Sequence, residues 1–166
     1  MSHSYIFKIK TLLKEDEKFE YEPISSRDYK ENGFIDGFHD YVKDLDYNET
    51  NEAYVEMLTI YPFIFQSDGL VDGVETGHIS KESLEEWLDI YKEKIEEITY
   101  NTFKQDKIDT YDLESYINPQ WGYFVEDRFA TYRSMPQFLI NCYNIMIINK
   151  IDTLYYVYEG ALDYHC

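Results

Sequence analysis

The sequence predicts an α+β fold with a small antiparallel sheet and about four or five helices, in a single domain over residues 1–166. Residues 5–13 and 153–158, near the two ends of the chain, have the composition of strands. Most apolar residues between them recur at helical spacing. The 18 Tyr and 10 Phe supply a core, because a chain of 166 residues buries about two-thirds of its unfolded surface.

The N-terminal third predicts a hairpin followed by a helix. Residues 5–13 alternate as a half-buried strand, and 19–24 alternate again. Pro23 places this second strand at an edge of the sheet, because proline cannot donate a ladder hydrogen bond. Apolar residues at helical spacing over 34–45 predict the first helix.

The next segment predicts a second helix and two turns. Thr50 or Asn51 is expected to cap this helix, and Pro62 to end it. A short strand at 63–66 follows. Turns are expected at the Asp-Gly pairs 68–69 and 72–73.

The C-terminal third predicts strands around one apolar helix. Ser134 is expected to cap a helix over Met135–Asn149, and the apolar residues of this helix nearly encircle it. A helix of that composition is usually central in its domain. The other expected elements are a short helix at 110–117 and strands at 121–125, 129–132 and 153–158.

The clearest pattern is an acidic helix from Lys81 to about Phe103, with Ser80 as its N-cap and Ile79 packing against Leu84. At about 100° per residue, seven carboxylates fall within an arc of roughly 120°. We call this set the acidic stripe: Glu82, Glu85, Glu86, Asp89, Glu93, Glu96 and Glu97.

The spacing of the acidic stripe resembles that of phosphates. The stripe spans about 24 Å, or roughly one carboxylate per 3.4 Å, and a single DNA strand carries one phosphate per about 3.4 Å of axis. Like charges three or four residues apart cost a few tenths of a kcal/mol per pair. Because no lysine lies in the middle of the arc, this cost is not compensated there.

The charge of the whole chain favours a cationic partner. Its 33 acidic and 15 basic residues give a net charge of −18, which argues against direct binding to nucleic acid or to anionic membranes. Residues 44–80 contain no Lys or Arg. The expected contact set therefore adds Tyr100, an interface-prone residue on the acidic arc, and four acids that precede or begin the second helix: Asp44, Asp46, Glu49 and Glu52.

The sequence predicts no cofactor and no catalytic residues. It lacks a phosphate-binding loop, a dinucleotide fingerprint and cysteines at zinc spacing. Asp36, His39 and Asp40 share a helical face that could hold a divalent metal, but a solvated polar face is the favoured interpretation. The acidic turn at 68–75 fails the spacing of a calcium loop, so neither set is taken as a metal site.

The predicted location is the cytoplasm. Two cysteines, Cys142 in an apolar helix and Cys166 at the end, do not form a disulfide framework. No signal peptide is visible, and the longest apolar run, 138–148, is too short to span a bilayer.

In charge and size the chain is similar to acidic nucleic-acid mimics of phages and mobile elements, which block restriction, CRISPR or repair enzymes. It is also similar to acidic immunity proteins that neutralise nuclease toxins. The predicted function is therefore inhibition of a Lys/Arg-rich nucleic-acid-handling protein through the acidic stripe. Two alternatives remain: a small enzyme or ligand-binding domain with a pocket near 121–132, or an assembly protein that oligomerises through its aromatic C-terminal third.

Overall fold

The computed structural model describes residues 4–27, 41–60, 63–104, 110–117, 123–126 and 131–165. Helices and strands alternate irregularly along the chain, and the α+β class is confirmed. The strands are β1 (Ser4–Leu12), β2 (Tyr41–Asp44), β3 (Gln66–Val71), β4 (Val74–Ser80), β5 (Tyr123–Glu126), β6 (Thr131–Ser134) and β7 (Thr153–His165). The helices are α1 (Tyr47–Ile60), α2 (Lys81–Lys104), α3 (Tyr111–Ile117) and α4 (Met135–Asn149).

The described strands form one seven-stranded sheet, which is larger than the small sheet that the sequence predicts. Its order is β3-β4-β7-β1-β5-β6, and β2 pairs with the C-terminal end of β7. Every pair is antiparallel except β1–β5, which is parallel. β7 is central because it pairs with β1, β4 and β2, and it continues seven residues past the predicted end at Tyr158.

Three helices cover one face of this sheet. α1, α2 and α4 contribute Met57, Leu84 and Phe138, each with no exposed surface, to a core shared with β1 and β7. The Tyr54 and Tyr156 hydroxyls in this core share a hydrogen bond of 2.9 Å, which satisfies two polar groups away from water.

The predicted hairpin between residues 5–13 and 19–24 is wrong. β1 is already paired with β7 along one side and with β5 at Ile6–Ile9 on the other, so little of it is left for a hairpin partner. Residues 19–24 carry no strand, and Pro23 lacks an N–H for a ladder. The segment is held instead by side chains, since the Lys8 amine donates to the Glu22 carbonyl oxygen at 2.6 Å.

A buried carboxylate anchors the same segment. Glu159 on β7 has no exposed surface, and its Oε2 accepts the Glu22 backbone N–H at 2.6 Å. Lys10 Nζ lies 3.5 Å from that oxygen and also donates to the Glu20 carbonyl oxygen. Lys8 Nζ lies 3.8 Å from Oε1. Burial raises the pKa of the Glu159 carboxyl, because desolvation outweighs the opposing effects of these donors.

The first two predicted helices are corrected in part. The helix expected at 34–45 lies mainly outside the described residues, and residues 41–44 form strand β2. α1 begins at Tyr47, three or more residues before the predicted caps. Its cap is Asp46, whose Oδ1 accepts the Glu49 backbone N–H at 2.8 Å, while Glu49 Oε1 accepts the Asp46 N–H at 3.2 Å.

The two Asp-Gly pairs behave differently. Asp72 and Gly73, with φ of 52° and 79°, turn the chain between β3 and β4, as predicted. Gly69, with φ of 91°, lies inside β3 at a register shift of the β3–β4 ladder. The predicted turn at 68–69 is therefore a β-bulge, and the strand predicted at 63–66 begins only at Gln66.

The boundaries of α2 and α4 agree with the prediction. The Ser80 hydroxyl accepts the Ser83 backbone N–H at 3.1 Å, so Ser80 caps α2. α4 spans Met135–Asn149 and ends at Lys150, whose φ of 55° is left-handed. α3 and β6 lie close to their predicted positions.

Candidate protein-interaction surface

All seven carboxylates of the acidic stripe are exposed along the outer side of α2. The opposite side faces the core through Leu84 and Trp87, which are 0% and 8% exposed. The rotation of the helix is thus set by its apolar face, as helical periodicity requires. The structure brings the whole predicted stripe together on one accessible surface.

Aromatic stacking fixes the inner side of α2. The Trp87 and Tyr91 rings lie 4.8 Å apart, and Tyr91 lies 5.3 Å from Tyr116 on α3. These nearly parallel rings extend the contact between α2 and α3 to Tyr91, which lies one turn beyond Trp87, the last buried residue of α2. The stack therefore keeps the acidic stripe on the outer surface.

Only part of the stripe has local electrostatic partners. Lys81 Nζ lies 4.0 Å from Glu85 Oε1, and Lys94 Nζ lies 3.5 Å from Glu97 Oε1. The Tyr143 hydroxyl of α4 donates to Glu85 Oε1 at 3.3 Å. The remaining five carboxylates form no ion pair with any described residue: Glu82, Glu86, Asp89, Glu93 and Glu96.

The C-terminal half of α2 carries exposed aromatic rings beside the acids. No residue after Trp87 is buried in this helix. Tyr100 is 62% exposed and Phe103 is 79% exposed. Lys104 Nζ lies 5.2 Å from the centre of the Tyr100 ring, a cation–π arrangement that covers one face of it. Tyr100 is therefore accessible at the end of the acidic stripe, where the sequence places it.

The second predicted acidic group has local structural roles. Asp44 accepts hydrogen bonds from the Ser26 backbone N–H at 2.8 Å and from the Ser26 hydroxyl at 2.6 Å. Asp46 and Glu49 form the capping pair of α1, and Lys43 Nζ lies 3.8 Å from Glu49 Oε2. Glu52 is exposed.

The two acidic groups lie on separate parts of the fold. α1 packs on β7, whereas α2 packs on β4, α3 and α4. α1 and α2 have no extensive contact with each other. Because three of the four acids near α1 are occupied locally, the candidate surface is centred on α2.

One set of candidate metal ligands lies outside the described residues, and the other lies on the β3–β4 hairpin. Asp36, His39 and Asp40 lie outside the described residues. Asp68 Oδ1 and Oδ2 both lie 2.9 Å from His78 Nδ1, an exposed pair across the β3–β4 hairpin. Within the described ranges, no group of three or more His, Cys, Asp or Glu residues could hold a metal ion.

A cleft among the described residues lies away from the acidic stripe. It measures about 270 Å³ and is lined by β1 and the segment that follows it, including Lys10, Lys18 and Phe19. The pocket expected near 121–132 falls mostly on residues whose side chains are not described.

The sequence does not predict that one face of α4 is exposed to solvent. The predicted central position of this helix is wrong, because Ile140, Ile147 and Ile148 are 38%, 46% and 77% exposed. The residues that pack inward, such as Phe138 and Cys142, cover only the opposite side. Periodicity cannot show which side of an all-apolar helix faces solvent.

Comparisons with protein-family models, curated proteins and solved structures returned no match. None of the described helices is both long enough and apolar enough to cross a membrane.

Proposed function

We propose that this chain is an acidic inhibitor that binds a Lys/Arg-rich nucleic-acid-handling protein through α2 and blocks its nucleic-acid site. The observation that carries the proposal is the exposure of all seven stripe carboxylates, five of which have no ion-pair partner among the described residues. Such a surface offers negative charge to a groove that normally holds phosphates. Its partner class covers restriction, CRISPR and repair enzymes as well as nuclease toxins.

The shape of α2 supports this proposal. A helix of 24 residues is about 36 Å long, which is roughly the axial length of ten nucleotides of one DNA strand. Its acids form a row along one side, and they sit on a rigid helix anchored by Leu84 and Trp87. A rigid charged row binds without the entropy cost of ordering a flexible tail.

The exposed aromatic rings at the end of the stripe add to the argument. Single-strand grooves often hold bases by stacking on aromatic or arginine side chains. Tyr100 and Phe103 present rings beside the carboxylates, as a nucleotide presents a base beside a phosphate. A groove built for nucleotides would accept both parts of this surface.

Charge reversal tests the proposal with a matched control. The stripe variant is Glu86→Lys, Asp89→Lys and Glu93→Lys, three positions with no local ion pair. The control variant is Glu15→Lys, Asp16→Lys and Glu20→Lys, which changes the net charge equally on exposed residues away from α2. Circular dichroism melting establishes that both variants fold.

Affinity capture from a host-like lysate then compares the three proteins at low and moderate salt. The wild type and the control should retain a basic nucleic-acid-binding protein, and the stripe variant should lose it. Excess DNA or RNA should release the captured protein, and rising ionic strength should weaken binding steeply. If the wild type and the stripe variant capture the same proteins, the acidic stripe is only a solvated face and the proposal fails.

A further inference from the structure

The outer face of α4 carries no charge and exposes three isoleucines beside the amides of Gln137 and Asn144. Residues 135–149 contain no Asp, Glu, Lys or Arg in a chain with a net charge of −18. Ile147 and Ile148 follow Ile140 by seven and eight residues, so the three lie within about 100° on one side of the helix. An uncharged surface with several exposed large aliphatic side chains favours contact with another protein.

This isoleucine row adjoins the acidic stripe. Tyr143 joins the two helices, because its hydroxyl donates to Glu85 Oε1 at 3.3 Å. On α4, Ile147 lies about 40° around the helix from Tyr143, towards solvent. On α2, Asp89 lies about 40° around the helix from Glu85, also towards solvent. The acidic stripe and the isoleucine row therefore lie on either side of the seam between α2 and α4, on the same surface.

The charges near this seam act on Tyr143. Partial burial and then the negative charges of Glu85 and Asp89 raise the pKa of the Tyr143 hydroxyl. The hydroxyl therefore stays protonated and keeps donating to Glu85. Tyr143 holds the edge of α4 against α2 and leaves the isoleucines free to contact a partner.

We propose that the seam between α2 and α4 binds a cationic amphipathic helix of the partner protein. The basic side of that helix would lie on the acidic stripe, and its apolar side would cover Ile140, Ile147 and Ile148. Packed helices lie about 8–10 Å apart, so one incoming helix spans both rows. The contact between basic residues of the partner and the acidic stripe rests on the proposed function, whereas the apolar contact rests on α4 alone.

Charge favours such a partner over a second copy of this chain. Two copies that met through α4 would bring their acidic stripes close together, and like charges at that distance repel. A cationic amphipathic helix satisfies the acids and covers the isoleucines in the same contact. An uncharged apolar partner would leave the neighbouring stripe unmatched.

Two synthetic peptides of equal composition provide the probe. Both are helical 18-residue Lys/Leu peptides with the same net charge, one with its leucines on a single face and one with them scattered. Fluorescence anisotropy measures their binding at about 100 mM and about 300 mM salt, where surface charges are increasingly screened. The wild type should bind the amphipathic peptide about tenfold tighter, and this preference should persist at the higher salt.

Three variants identify the surface that gives the preference. The triple variant Ile140→Ser, Ile147→Ser, Ile148→Ser should bind both peptides equally. The control Val55→Ser, Leu70→Ser removes exposed apolar side chains from α1 and β3, and it should keep the tenfold preference. The stripe variant Glu86→Lys, Asp89→Lys, Glu93→Lys should lose most of its affinity for both peptides. Melting curves confirm folding for each.

The outcomes separate this inference from the proposed function. Equal binding of both peptides to the wild type, or an unchanged preference in the isoleucine variant, would overturn the α4 contact and leave the stripe intact. Undiminished binding by the stripe variant would count against the proposed function instead. Light scattering that shows a wild-type dimer, lost in the isoleucine variant, would assign the face to self-association and also overturn the inference.

Discussion

Replacing Glu93 with Gln should stabilise the protein, because Glu93 is surrounded by like charges. Its neighbours three and four residues away along α2 include Asp89, Glu96 and Glu97, all acidic and exposed. No lysine forms an ion pair with it. An uncharged side chain of nearly the same shape removes the repulsion and preserves the helix propensity.

The magnitude follows from the pairs that Glu93 makes. Each like-charge pair costs about 0.2–0.5 kcal/mol. The pairs with Asp89 and Glu96 count in full, whereas Lys94, 3.5 Å from Glu97, partly neutralises the third. The expected gain is therefore about 0.5–1 kcal/mol. For a chain of this length it corresponds to a rise in Tm of about 1–4 °C.

Urea unfolding followed by far-UV circular dichroism tests this value. The gain should appear at about 20 mM salt and largely vanish at about 1 M, where the Debye length is near 3 Å. Glu82→Gln is the matched control, because one of its two acidic neighbours, Glu85, is paired with Lys81. Glu82 also lies in the first turn, where the helix dipole favours a negative charge. It should give no gain. Equal stabilisation by both variants, or a gain unaffected by salt, would refute the reasoning.

Three further predictions concern the core and the buried anchor. Gly77→Ala should destabilise the fold by about 2–3 kcal/mol, because a Cβ there would overlap the Gln66 carbonyl oxygen and the Tyr156 ring; thermal melting measures the loss. Tyr156→Phe removes the hydroxyl 2.9 Å from that of Tyr54 and should cost about 1 kcal/mol in urea unfolding, and an unchanged midpoint would contradict this. Burial raises the pKa of the Glu159 carboxyl, so its stabilising contribution is fully present below the unfolded pKa and is lost as pH rises through the folded pKa. The stability of the wild type relative to Glu159→Gln should therefore fall as the pH rises from 4.5 through the folded-state pKa, and a constant or rising difference would be inconsistent with it.

The elements predicted most accurately are those whose signals are local. Ser80 and Ser134 each precede a helix, and each helix begins at the next residue. Capping and helical periodicity act within a few residues, so they are visible in sequence. Asp46 shows the limit of this reasoning: it satisfies the same capping rule as Thr50, and the sequence alone does not rank the two.

The sheet was predicted less well because its pairings join distant residues. Nothing near residue 19 shows that β1 is flanked by β7 and by β5, about 150 and 115 residues away from it respectively. The C-terminal half of β7 was missed because Glu159, Gly160 and Asp163 interrupt its apolar pattern. Glu159 is compatible with a buried strand because the Glu22 N–H, Lys8 and Lys10 lie beside it.

The candidate surface was predicted on α2 and missed on α4. A row of carboxylates can face only solvent or a partner, so helical geometry alone places it. The isoleucines of α4 are compatible with a core or with a surface, and only packing decides between them. The contact of Tyr143 with Glu85, which joins the two rows, depends on that packing.

The effects of the same substitutions on stability and on binding affinity distinguish a binding surface from a solvated face. Neutralising Asp89 or Glu93 should raise stability, because each lies among like charges. If the stripe binds a cationic partner, the same substitutions should lower the affinity for it. A merely solvated face would show the gain in stability without any loss of binding. Opposite changes, measured on the same variants, would mean that the stripe lowers stability in exchange for recognition.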